Sequence, residues 1–292
     1  MSKPPPATSA VLSAVLAFGL WGALPVYWKQ IGHLGSDVAL AQRVVWTMAT
    51  VLPLLILRGE WAAFMKSVRE PKLLRAHAWS AFLLAINWGV FVWAAQHGRI
   101  IDCSLGYFIN PLLNVLIGSR LLGERLSWLQ KLSIASAACG VVTQIVLAGR
   151  FPWVGLLLAV SFALYGLARR RSPLGSLPGL GVETLVGIPI AVVYLAWSQQ
   201  SGVSVWGTAS TRDLLLIIGL GIITTIPLLG FAHAARQLPF ALLGVLQFLA
   251  PTGQFLVGAL VYHEPVSAAA MVSFGLIWTG VVLFCGDLWS KQ

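Results

Sequence analysis

SLGYFINPLLNVLIGSRLLGE, residues 104–124, is apolar enough to enter a membrane and is broken at its centre by Asn110-Pro111. Displaced by 140 residues, GVLQFLAPTGQFLVGALVYHE, residues 244–264, falls beneath it. Phe108, Pro111, Leu116, Gly118 and Glu124 then face Phe248, Pro251, Leu256, Gly258 and Glu264, and both stretches share a P-x6-G-x5-E frame. The same shift sets Phe91, Ala94 and Ala95 against Phe231, Ala234 and Ala235, Ser127 against Ser267, and Gly140-Val141-Val142 against Gly280-Val281-Val282. In the first spans a shift of 144 aligns FGLWG at Phe18 with FALYG at Phe162. Agreement in register across four spans points to a duplicated chain, 1–148 and 149–292.

The composition names the solvent. Of 292 residues, 58% are hydrophobic and only 10% charged, where a soluble chain carries about a quarter charged residues. Mean hydropathy is +0.84, so lipid surrounds most of the chain. A net charge of +10 would suggest nucleic acid in a soluble protein. Here the nineteen Lys and Arg fall almost entirely between apolar runs, where they set topology, and nucleic acid is not an expected partner. Cys103, Cys139 and Cys285 are odd in number and far apart, with neither metal nor disulfide spacing, and read as small packing residues. Only Lys3 precedes a first apolar run that is too long for a signal core and lacks a cleavage pattern, so that run reads as a retained span.

A span needs about 20 mainly apolar residues. Ten runs qualify: 10–29, 37–57, 74–96, 101–122, 127–147, 152–169, 179–198, 213–235, 240–261 and 266–287. With the N-terminus in the cytoplasm, fourteen Lys and Arg lie inside and four outside, with Arg43 within a span. The expected fold is therefore all-α and integral to the membrane, with ten helices and both termini cytoplasmic. Between spans two and three, Trp61, Phe64, Met65 and Val68 recur at helical spacing and Pro71 ends the pattern, which predicts a short amphipathic helix at the cytoplasmic interface. Five spans per copy is odd, so the second copy enters from the opposite face. Such inverted repeats build a site near the midplane and open it alternately to either side.

QRVVW at Gln42, INWGVFVWA at Ile86, SLGYFINPLLN at Ser104, LLGER at Leu121, FALYGLARR at Phe162 and GIITTIPLL at Gly221 together closely resemble the RarD proteins, of the EamA branch of the drug/metabolite transporter superfamily. The resemblance runs over nearly the whole chain and is most specific in the fourth span. It implies a bacterial inner-membrane, multi-pass transporter built from two EamA-like five-helix repeats. The family's usual label, chloramphenicol-sensitive protein, implies drug efflux. The ninth span departs from the pattern, with VLQFLAPT and His263-Glu264-Pro265 where a more Tyr- and Gly-containing version is expected. The resemblance carries over no catalytic residues.

Polar groups deep in lipid are costly unless they face protein or a water-filled cavity, which makes them functional candidates. Asn87, Asn110, Pro111, Pro227 and Pro251 fall near the midplane of their spans, and each proline removes a backbone hydrogen bond and bends its helix. The asparagines either line a cavity or tie helices together; Asn114 reads as a tie. Trp21 and Tyr165, at matched places in the first span of each repeat, and Tyr107 are candidate aromatic walls for an organic solute. Tyr107, Asn110 and Pro111 should face Gln247 and Pro251 across the pseudo-twofold axis.

Arg43 and Glu183 are repeat equivalents at the 140-residue shift. They sit about 9 Å and 6 Å deep from opposite faces of a core about 30 Å thick, so a direct ion pair is not expected. They are candidates to guard the two mouths, with Glu183 able to bind a proton. His233, nearer the cytoplasmic end, is a titrating candidate. Glu124 and Glu264 read as helix-end caps. No phosphate loop, H-E-x-x-H, G-x-S-x-G or close pair of intramembrane carboxylates is present in the sequence. The expectation is a carrier rather than an enzyme, with no metal or cofactor, moving a small organic solute outward and coupled to protons. Uptake or exchange of an amino acid or similar metabolite is the alternative, and a non-transporting scaffold is a third. Nothing in the sequence specifies an oligomeric state.

Overall fold

The computed structural model describes residues 8–96, 100–148, 151, 153–201, 209–263, 266 and 268–290. It is helical throughout: α1 Thr8–Ile31, α2 Ser36–Leu57, α3 Trp61–Arg69, α4 Pro71–Gln96, α5 Ile100–Leu121, α6 Trp128–Ala148, α7 Trp153–Arg171, α8 Ser176–Gln200, α9 Thr211–Gln237, α10 Phe240–Gln247, α11 Leu249–Leu256 and α12 Ala268–Trp289. A π-helical turn, Val257–Val261, continues α11. No strand occurs among the described residues.

Among the described residues, eight segments are long and apolar enough to cross a membrane, the α10–α11–π run counting as one. The two further long helices are α4, of 26 residues, and α5, of 22. Lys72, Arg75 and His77 in α4, and Asp102, Asn110 and Asn114 in α5, interrupt their apolar runs. The protein is a multi-pass membrane protein. Its outer surface is studded with exposed Leu, Val, Ile and Trp, such as Ile190, Val146 and Trp128. That distribution suits a lipid solvent, because hydrocarbon is as apolar as the side chains themselves.

Packing follows a fixed set of partners. α6 lies along α12, α5 along α7 and α10, α1 along α9 and α11, α2 along α8 and α9, and α4 along α7 and α8. The α6–α12 seam shows why glycine is needed there. A Cβ on Gly140 would stand 2.7 Å from the Ser273 carbonyl oxygen, and one on Gly280 would stand 2.5 Å from that of Ser133. The same residues bond reciprocally: Ser133 Oγ donates to the Gly280 carbonyl at 2.5 Å, and Ser273 Oγ to the Gly140 carbonyl at 2.8 Å.

Short polar devices fix the helix ends. Ser210 and Asp213 form a capping box at the start of α9. Glu124 accepts from the backbone N–H groups of Phe240 at 2.6 Å and Ala241 at 2.9 Å, which satisfies two of the orphan donors of α10. Gly118 leaves room for that carboxylate, since a Cβ there would lie 2.6 Å from Glu124 Oε2. The shared P-x6-G-x5-E frame thus has a structural meaning in its first copy. Its second glutamate, Glu264, lies outside the described residues.

Pro111 and Pro251 occupy equivalent sequence positions but act differently. Pro111 sits inside a continuous α5. Pro251 follows a break, with α10 ending at Gln247 and α11 starting at Leu249. A proline at 251 cannot donate to the carbonyl four residues back, which is that of Gln247. The amphipathic helix expected at 61–69 is present as α3. Its Phe64 is buried against Leu55 and Gly181, so the apolar face packs partly on the bundle as well as facing outward. Cys139 and Cys285 are exposed on the outer surface instead of packed inside.

Candidate functional site

The end of the bundle that carries α3 holds a buried charged cluster. Glu183 lies in the second turn of α8, and its Oε1 accepts from Ser80 Oγ at 2.5 Å and from Arg169 Nη1 at 3.3 Å. His77 Nδ1 lies 3.4 Å from the same oxygen, and the Tyr165 hydroxyl donates to Oε2 at 3.2 Å. His77 Nε2 meets Ser172 Oγ at 2.9 Å. Arg169 Nη2 also donates to the Ser176 carbonyl at 3.0 Å and the Gly175 carbonyl at 3.4 Å.

Every partner of the carboxylate is a donor, so the arrangement suits the ionised form. Arg169 is 0% exposed and Glu183 4%, and two charges leave water only when paired and hydrogen-bonded. Helical spacing assembles the cluster: Tyr165 and Arg169 are one turn apart on α7, and His77 and Ser80 share a face of α4. Gly179 on α8 makes room for the guanidinium, whose Nη1 would collide with a Cβ there. Sequence reasoning found Glu183 and Tyr165 but missed Arg169, His77, Ser80 and Ser172. The available signal was the Tyr165-x3-Arg169 spacing, because an arginine one turn from an inward tyrosine faces inward too.

An aromatic cluster adjoins these groups. Trp21 and Tyr165 enter one assembly with Phe18, Phe162 and Phe231. Ring centroids are 5.5 Å apart for Trp21–Phe162, 5.0 Å for Phe162–Phe231 and 5.9 Å for the stacked Tyr165–Phe231 pair.

The asparagines bind helix α7. Asn87 Nδ2 donates to the Leu158 carbonyl at 2.9 Å and to Ser161 Oγ at 3.1 Å, and Asn110 Nδ2 to the Ala159 carbonyl at 2.6 Å. Asn114 Nδ2 reaches Gln247 Oε1 at 2.7 Å and Asn110 Oδ1 at 3.3 Å, joining α5 to α10. Pro111, next to Asn110, and Pro251, beyond Gln247, are buried along the same α5–α10–α11 region, and Pro227 is buried in α9. Tyr107 is half-buried on α5, with its ring 6.3 Å from that of Phe91. His233 stands apart, meeting Gln237 on its own helix.

Arg43 lies in the half of the bundle away from α3. Its Nε donates to Thr224 Oγ1 at 2.8 Å, and its guanidinium sits 3.9 Å from the Trp88 ring centroid. Arg43 and Glu183 do not pair, in keeping with their separation in depth. No group of three or more His, Cys, Asp or Glu suited to a metal occurs among the described residues.

No protein-family model matches the chain. Full-length relatives do. It is 38% identical over 277 residues to the uncharacterized transporter YojE of Bacillus subtilis, covering 94% of this chain and 92% of that protein. It is 37% identical over 277 residues to RarD of Escherichia coli K12, covering 95% of this chain and 94% of that one. The chloramphenicol-sensitive protein RarD of Pseudomonas aeruginosa is 32% identical over 277 residues, covering 94% and 92%. A solved structure titled only as the crystal structure of a protein superposes with a TM-score of 0.73 over 94% of this chain and 96% of that chain, at 21% identity, which speaks for the fold alone. Full-length similarity to proteins named RarD and to named transporters, joined to a multi-pass bundle with buried charges, gives the assignment: the chain belongs to the RarD family of membrane transporters.

Proposed function

We propose that the protein is a secondary transporter of the inner membrane that exports a small organic solute by alternating access, driven by proton entry. In this reading its ten spans form two inverted repeats, 1–148 and 149–292, with both termini in the cytoplasm, so that the α3 end is the cytoplasmic end. The observation that carries the reading is the Glu183 cluster. It ties α4 of the first repeat to α7 and α8 of the second, at the face where the repeats must part for inward opening.

The packing supports the two-fold relation. Exchanging the repeats turns α5 against α7 into α10–α11 against α1, turns α4 against α7 into α9 against α1, and turns α2 against α9 into α8 against α4. The α2–α8, α5–α10 and α6–α12 seams map onto themselves, and the reciprocal Ser133 and Ser273 bonds sit on the last.

Chemically, the cluster is a latch. A proton on Glu183 turns a carboxylate into a neutral acid and removes its attraction for Arg169, which frees α4 from α7 and α8 at the cytoplasmic end. Loss of that proton restores the carboxylate and its pairing with Arg169. Drug-like solutes belong in the first panel because a Pseudomonas relative bears the name chloramphenicol-sensitive. The test is flux in proteoliposomes with and without an imposed pH gradient. Glu183→Gln keeps the shape but is neutral, as the protonated acid is, and has no titrating group, so gradient-driven flux should fall about tenfold or more while solute exchange at equal pH persists. Unchanged dependence on the gradient in Glu183→Gln would sink the coupling.

A further inference from the structure

We propose that Arg43 is the anion-recognition point of the solute site, so that the solute carries a single carboxylate on a flat apolar body. The inference rests on the transporter reading only in treating the bound anion as cargo; the site itself follows from the side chains.

A guanidinium offers five N–H donors and keeps its charge in proteins. Arg43 is 9% exposed, and among the described residues it has one hydrogen bond, from Nε to Thr224 Oγ1, and no Asp or Glu partner. The face of Trp88 at 3.9 Å, and more remotely the Trp28 ring at 6.0 Å, compensate part of the charge. Arg169, the other deeply buried arginine described above, differs in being matched by Glu183. A buried cation left without a counter-ion marks a place where an anion is supplied from elsewhere.

The surroundings say what kind of anion. Seven buried side-chain polar atoms lack a partner among the described residues, and four of them, Gln42 Nε2, Trp46 Nε1, Thr47 Oγ1 and Thr225 Oγ1, flank Arg43 and Thr224 on the same two helices. The amide and indole nitrogens can only donate, and the two hydroxyls can donate as well. The stretches of α2 and α9 around Arg43 and Thr224 therefore carry several unsatisfied donors, each of which an acceptor would satisfy. α2 and α9 pack tightly here, with the Trp46 carbonyl where a Cβ on Gly221 would fall, so the donors are held in place by backbone contact.

One fixed positive charge neutralises a monoanion; a phosphate dianion would leave net negative charge in the low-dielectric interior. The planar guanidinium fork matches the two oxygens of a carboxylate. Trp88 covers one face of that fork, so an aromatic or otherwise flat body can continue the stack.

The test is equilibrium binding to the purified full-length protein in detergent, followed by tryptophan fluorescence. The probes are benzoate and 3-phenylpropionate, each set against its neutral amide, with inorganic phosphate as a further arm. At least one acid should bind saturably and about tenfold or more tighter than its amide. Arg43→Gln should weaken the acid by a similar factor and leave the amide within about twofold, and Arg43→Lys should fall between because an ammonium lacks the planar fork. Acid and amide are compared on the wild-type protein, so that result stands whatever the variants do. Failure of both acids to bind, equal affinity for acid and amide, unweakened acid binding by Arg43→Gln, or phosphate binding tighter than either acid would overturn the assignment. Because binding is read without flux, acid-selective binding without transport would refute the carrier and keep the site. Transport with no preference for the acids would do the reverse.

Discussion

Glu183 and Arg169 hold each other inside the bundle, and the cost of separating them is a direct measure of the cluster. Arg169→Leu leaves a buried carboxylate without its counter-charge and should destabilise the protein by about 3–5 kcal/mol in thermal or denaturant unfolding in detergent. Pairing it with Glu183→Leu should recover most of that loss, because an apolar pair has no charge to strand. Asn114 is a smaller case. Its bond to Gln247 lies between helices in lipid, so Asn114→Leu should cost about 1 kcal/mol. The charges show what a sequence can reveal at this scale. Glu183 and Arg43 were legible because a charge within an apolar run has no cheap explanation. Arg169 was not, because it opens an Arg-Arg-Arg run at the end of a span, where charge normally sets topology. Only the fold shows that its side chain turns inward between Gly179 and His77. His77 and Ser80 are ordinary polar residues until α4 is laid against α7 and α8.

Among helices, the seams are set by absent side chains as much as by present ones. Gly280→Leu should force α6 and α12 apart, displacing the Ser133 hydrogen bond and lowering stability by about 1–3 kcal/mol. Gly275 lies on the same helix with nothing within 4 Å of its would-be Cβ, so Gly275→Ala should be neutral or mildly stabilising in the same unfolding assay. Glu124→Ala should cost about 1 kcal/mol by uncapping α10, with Glu124→Gln intermediate because an amide oxygen still accepts one N–H. The glycine and glutamate of the repeated frame were visible as a pattern, and their partnership required the loop between α9 and α10 to be folded beneath α5. Equivalent prolines were read alike, yet only at the second is the helical run interrupted, at Phe248 before Leu249.

For the molecule as a whole, composition alone settled the solvent. The direction of charge at the two ends is the further element. One buried cation is matched by a carboxylate where α4, α7 and α8 meet, and the other, on the seam of α2 and α9, has no carboxylate partner among the described residues. That asymmetry suits the proposed carrier, with one arginine held in a latch at the α3 end and the other placed to receive the solute. The most direct test is solute accumulation in proteoliposomes of purified protein under an imposed pH gradient. The panel should span chloramphenicol, amino acids and aromatic carboxylates, with Glu183→Gln measured in parallel. Saturable flux of at least one solute, accelerated by the gradient in wild type and not in Glu183→Gln, is the expected result. A folded preparation that moves none of these solutes in either direction would contradict the carrier reading and leave a structural scaffold in its place.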